Sequence, residues 1–122
     1  MTLVITLPWP DAMLWPNRKN GHSYHASDTA KHNARYYGYM AVFEALGVQQ
    51  LPAYHAICIT YVFHAATRRR YDLDNALAAC KPTQDGIADA LHIDDCEFSP
   101  VTIVRGELTD PAQVVVTIEV MA

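Results

Sequence analysis

The succession of segments in this chain predicts an α+β fold: a small mixed β-sheet covered by two helices, in the order β-α-β-α-β-β. Three observations carry the prediction. Runs at 2–7, 54–63, 98–107 and 113–120 are short and rich in β-branched residues, as strands are. Two longer stretches, 27–46 and 73–91, repeat apolar residues at spacings of three and four. A length of 122 residues leaves room for one modest core, so a single domain is expected over 1–122.

The elements follow in order. Thr2 to Leu7 form a strand closed by Pro8, which cannot donate to a ladder. Pro8, Pro10, Pro16 and Asn20-Gly21 mark 8–26 as irregular. Trp9, Trp15 and Tyr24 are interleaved there with Arg18 and Lys19. That mixture suits unstacked bases and phosphates, or more commonly anchors a loop on the core. Ser27 is the expected N-cap of the first helix, with Asp28 in its first turn and Gly47 as its stop. Ala30, Ala34, Tyr37, Ala41 and Ala45 make its expected packed face, with Lys31, Arg35 and Glu44 elsewhere.

Residues 54–63 read as the second strand, with His55 and His64 as structural residues at its ends. A basic loop at 65–71 leads to a helix from Leu73 to Leu91 that packs Leu73, Leu77, Cys80, Gln84, Ile87 and Leu91. Asp74, Ala78, Lys81 and Asp85 form a polar stripe beside that face, with Lys81 and Asp85 each within roughly 20° of Asp74. Pro82 predicts a kink or a fresh start near Lys81. Strands at 98–107 and 113–120, joined around Asp110-Pro111, complete the pattern.

Apolar residues make up 51% of the chain, and the mean hydropathy is near zero, which excludes a disordered tail. No apolar run approaches the ~20 residues of a membrane span. Residues 1–7 are too short, and lack the basic start, for a secretory signal, so a cytoplasmic location is expected. Cys58, Cys80 and Cys96 are odd in number and widely spaced, as reduced thiols are. Zinc is not expected, because His22-x-x-His25 has no paired cysteines to complement it.

The most informative stretch is Arg68-Arg69-Arg70-Tyr71-Asp72-Leu73-Asp74-Asn75. Three guanidinium groups directly precede two carboxylates and an amide. Arginine grips backbone phosphates with a charged fork, and paired aspartates suit Mg²⁺, which prefers oxygen ligands. Nineteen positions after Asn75 comes a second acidic pair, Asp94-Asp95, with Lys81 between. These are the parts for metal-assisted cleavage of a phosphodiester. Taken singly, each has a plainer reading: a solvated basic loop, an aspartate capping the helix that follows, an acidic surface turn. The net charge, 9 − 13 = −4, runs against the basic character of most DNA binders. Three of the nine cations nonetheless fall within 68–70.

This order of residues resembles the RusA family of Holliday junction endonucleases, tightly over 67–95 and loosely elsewhere. Ile5-Thr6-Leu7-Pro8-Trp9-Pro10 is similar to the family's opening strand and its Pro-aromatic-Pro exit. The resemblance implies a RusA-like fold and a Mg²⁺- or Mn²⁺-dependent nuclease that resolves four-way DNA junctions by paired symmetric nicks. It implies Asp72, Asp74 and Asp95 as catalytic metal ligands, with Asp94 adjacent, and Lys81 as the catalytic lysine. Lys81 follows Asn75 by six positions, later than in the best-known members. Arg68, Arg69, Arg70 and Lys19 are the expected DNA contacts, and no small-molecule cofactor is expected.

A straight helix over 74–90 would rise roughly 24 Å, too far for Asp72 and Asp74 to share an ion with Asp95. Either the break near Lys81-Pro82 folds the helix back, or Asp95 arrives from a second subunit; the second is favoured, giving a homodimer. Two rivals stand beside this reading: a non-catalytic DNA- or protein-binding module that kept the fold, and a metal-dependent phosphoesterase for small substrates.

Overall fold

The computed structural model describes residues 1–16 and 24–122, with the backbone alone of Tyr24 and His25. The candidate DNA contact Lys19, together with Arg18 and His22, lies outside the described residues.

The fold is α+β, with a mixed four-stranded sheet in the order β1-β4-β2-β3. Its strands are β1 (Thr2–Pro8), β2 (Ala56–His64), β3 (Phe98–Arg105) and β4 (Gln113–Met121). β4 runs antiparallel to both β1 and β2, and β2 runs parallel to β3. Strict alternation decides which face is covered. Leu3, Ile5 and Leu7, then Ile57, Ile59, Tyr61 and Phe63, then Val114, Val116, Ile118 and Val120 all point into one core. Val4, Val62, Val104 and Val115 lie on the opposite face with a row of threonines. Val4 and Val104 there are exposed.

The helices are α1 (Tyr24–Leu46), α2 (Leu73–Ala79) and α3 (Lys81–Leu91). The helix expected over 73–91 is thus two, broken at Cys80, where the backbone takes φ −89° and ψ 0°. Pro82 falls in the first turn of α3, where a missing N–H leaves no intrahelical bond unmade. Its packing residues behave as expected: Cys80, Ile87 and Leu91 are buried, and Gln84 accepts a hydrogen bond of 2.7 Å from the Tyr61 hydroxyl.

α1 departs from expectation at its start and on its flank. It begins at Tyr24, so Ser27 is a buried residue within the helix rather than its cap. Ala30, Ala34, Gly38 and Val42 make the packed face, while Tyr37 and Ala45 are exposed. A spacing of four keeps small residues against α3. At Gly86 that contact is so close that a Cβ would lie 1.9 Å from the Arg35 carbonyl oxygen. Arg35 then clamps the pair, its guanidinium donating to Asp89 at 2.7 and 3.0 Å. At the other end of α1, Gly47 at φ 60° supplies the expected stop. Among the described residues no helix is long and apolar enough to cross a membrane.

Candidate functional site

The β2-α2-α3-β3 crossover carries nearly all the nominated residues. In a parallel unit of this kind the connection leaves one end of the sheet and re-enters at the other. Arg68, Arg69, Arg70, Asp72 and Asp74 therefore lie past the carboxyl end of β2, and Asp94 and Asp95 lie before the amino end of β3. α2 and α3 join the two groups.

Asp72 occupies the N-cap position of α2, yet its side chain makes no capping bond. Among the described residues its carboxylate receives one long contact, 3.4 Å from the Asn75 amide. The plain capping role open to Asp72 is thus not taken up. Asp74 follows in the first turn, exposed. The two carboxylates stand at a helix N-terminus, where the backbone dipole favours negative charge.

Asp94 and Asp95 separate in role. Asp94 caps the short 3-10 turn 95–97: its Oδ1 accepts from the Cys96 backbone N–H at 3.0 Å, and Glu97 accepts from the Asp94 N–H at 3.1 Å. The Cys96 amide holds the Asp94 carboxyl below its ordinary range, with a smaller contribution from Lys81. Tyr54 steadies this box by donating to Glu97 at 2.9 Å. Asp95 instead turns to Lys81, whose ammonium bonds both Asp95 and, at 2.9 Å, Asp85. The turn after α3, with His92 in the left-handed region at φ 58°, brings Asp95 back to Lys81 within one chain.

The acidic groups remain in two sets. Among the described residues no three of His, Cys, Asp and Glu are arranged to hold a metal ion. Asp72 and Asp74 form one set, and Asp85, Asp94 and Asp95, gathered with Arg35 and Asp89 around a shallow hollow, form the other.

Sequence reasoning overlooked two contributors. Asp85 was placed on the polar stripe but not in the site; its spacing of four from Lys81 was the available signal. Arg105 gave no signal, because only the parallel register that sets it beside Phe63 brings it to the basic loop. Its guanidinium donates to the Tyr71 carbonyl at 2.8 Å and stands 4.6 Å over the Tyr71 ring. With Arg68, Arg69 and Arg70 it rims a depression of about 320 Å³. Beside it runs a groove of about 550 Å³ whose lining includes Trp9, Trp15, Arg69, Arg70, Tyr71 and Asp72.

No family model matches the chain. It is 38% identical over 114 residues to an uncharacterized protein of Xylella fastidiosa (strain Temecula1 / ATCC 700964), a match covering 93% of this chain and 74% of that protein. The chain belongs to the family of that Xylella protein. The match takes in most of the chain and so extends well beyond the crossover.

Proposed function

We propose that this chain is a RusA-like endodeoxyribonuclease, dependent on Mg²⁺ or Mn²⁺, that nicks branched DNA and resolves four-way junctions. The observation that carries the reading is the meeting of Lys81 with Asp95, fourteen residues on. A lysine ammonium against a nominated metal carboxylate is what phosphodiester chemistry needs on the surface that receives a phosphate. The exposed, uncapped Asp72 and the arginine rim at the other end of the crossover support it.

The donors fit a hard divalent ion by type: Asp72, Asp74 and Asp95 are carboxylates with oxygen to offer. When bound, such an ion supplies Lewis acidity and a water of lowered pKa. Lys81 places positive charge where the leaving oxygen develops negative charge, and it has a proton to give. Arg68, Arg69 and Arg70, with Arg105, hold the DNA backbone, which fixes register without reading sequence.

A homodimer is part of the proposal. Two symmetric nicks ask for two sites related by a two-fold axis. The cytoplasm is the location proposed for this activity.

One observation favours a second reading, a binding module that keeps the fold without cleavage: among the described residues no three acidic groups are arranged to hold a metal ion. Incubating the protein with a synthetic four-way junction and a matched linear duplex, in Mg²⁺ or EDTA, separates the two. Paired, metal-dependent nicks on the junction alone support the nuclease. Junction binding without any cleavage supports the module.

A further inference from the structure

We infer that the groove between the exit of β1 and the loop after β2 binds one unstacked nucleotide of a nucleic-acid strand. The base lies against Trp9, Trp15 and Tyr71, and the phosphate lies on Arg69 and Arg70. The inference builds on the nuclease reading, whose branched substrate supplies a nucleotide free of its stack.

The groove has the volume of a ligand site: about 550 Å³, where such sites run from about 300 to 1,000 Å³. Its walls are flat. Trp9 stacks on Trp15 with ring centres 6.0 Å apart and planes at 27°. Tyr71 stands edge-on to Trp9 at 5.3 Å and to Trp15 at 6.2 Å. All three rings are half-buried, so each keeps part of its surface for the groove.

The walls are also fixed in advance. The Trp15 indole N–H donates to the Pro10 carbonyl at 3.3 Å, and Trp9 meets the buried Phe63 edge-on at 6.0 Å. Arg105 pins Tyr71 through its ring and its carbonyl. A wall already ordered loses little entropy when a ligand arrives.

Charge selects the ligand. Arg69 and Arg70 are exposed and form no ion pair among the described residues, so their forks are open to phosphate. Aromatic faces beside free guanidiniums match a nucleotide, whose base stacks while its phosphate is gripped. Rings that served only to anchor a loop on the core would need neither the open groove nor the unpaired arginines. A duplex keeps its bases stacked on one another, so the occupant is an unpaired or frayed nucleotide. Asp72 on the same lining sets that nucleotide beside the nominated carboxylates.

The chain itself carries the reporter, because Trp9 and Trp15 are its two tryptophans. Their fluorescence is followed as the intact protein is titrated, without metal, with an oligothymidylate of about 12 nucleotides or with an abasic strand of the same length. The base-bearing strand is expected to quench and saturate, and the abasic strand to leave the emission nearly unchanged at equal phosphate. Tyr71→Ala is expected to weaken the oligothymidylate roughly tenfold. Should that variant fail to fold, Arg69→Ala with Arg70→Ala serves, weakening the strand while retaining the tryptophan spectrum. Equal quenching by both strands means a phosphate surface alone, and no quenching by either means an anchoring cluster; each overturns the inference. Junction cleavage without base-dependent quenching removes this site and leaves the nuclease standing. Quenching without cleavage supports the site while the nuclease reading falls.

Discussion

Lys81 Nζ lies 2.9 Å from Asp85 Oδ1, one turn along α3, and meets Asp95 on its other side. Two carboxylates from different parts of the chain therefore fix the direction of one ammonium group. The turn of α3 that carries Asp85 is itself held hard against α1 at Gly86.

From this follows the expected behaviour of Asp85→Asn. The amide keeps the shape and an acceptor but loses the charge that orients Lys81. On the nuclease reading, cleavage of a four-way junction should fall roughly 10- to 100-fold in kcat, the cost of misplacing Lys81, with KM nearly unchanged. Single-turnover kinetics on a labelled junction checks it. A fall in KM-linked affinity with intact kcat would move Asp85 to the DNA surface instead.

Asp74→Asn and Asp95→Asn should each reduce metal-dependent cleavage by at least about 100-fold while leaving the fold intact. DNA binding by Asp74→Asn should be equal or tighter, since a charge that repels phosphate is gone. On the homodimer proposal, a site built from both carboxylates draws them from two chains. Mixing the two variants should then restore a single nicking activity through heterodimers. No recovery despite demonstrated subunit exchange would confine each site to one chain.

Replacing Arg69 and Arg70 together by Ala should weaken binding to all DNAs alike. The slope of log affinity against log salt should flatten by about 0.9 for each lost phosphate contact. Binding isotherms at a series of salt concentrations measure it, and an unchanged slope would place the phosphates elsewhere.

The sheet and the helices were legible because period-2 and helical patterns survive in residues 2–7, 113–120 and 73–91. Pro82 announced the break that falls at Cys80. Ser27 misled, because a good N-cap residue becomes an interior one when the helix continues past it, and its burial against neighbours leaves no trace in local spacing. Tyr37 misled for a related reason: helical spacing fits several faces, and Gly38 was the true marker of the close approach of α3. In the site, residues near in sequence were readable and those joined by topology were not. Asp85 lies four positions from Lys81, whereas Arg105 reaches Tyr71 across 34 positions, through a parallel pairing that sequence does not declare.

Gly86→Ala tests the helix contact directly. A methyl group would lie 1.9 Å from the Arg35 carbonyl oxygen and 3.0 Å from the Tyr39 nitrogen, both backbone atoms that cannot rotate aside. Alanine gains up to about 1 kcal/mol of helix propensity, but the forced separation of α1 and α3 should cost about 1–3 kcal/mol and prevail. The midpoint of urea unfolding should fall accordingly, and an unchanged midpoint would mean that the helices yield without loss.

Alkaline pH should destabilise the fold through two buried groups. Burial pushes the Cys80 thiol from 9.0 up to about 12, and it raises the Tyr61 hydroxyl above its usual range. Both groups stay protonated in the folded chain where the unfolded chain would release its protons, so the unfolded state binds fewer. Stability is therefore fully present below about pH 9 and declines as pH rises above it. The slope should be about 1.4 kcal/mol per pH unit from Cys80 alone, and about twice that above pH 10, where unfolded tyrosine also ionises. Urea unfolding from neutral pH to about pH 11 measures this. Cys80→Ala, compared by slope rather than by absolute stability, should lose the part that sets in near pH 9 and keep the part that sets in near pH 10. A variant with the wild-type slope throughout would show that Cys80 ionises in the folded protein as readily as in the unfolded one.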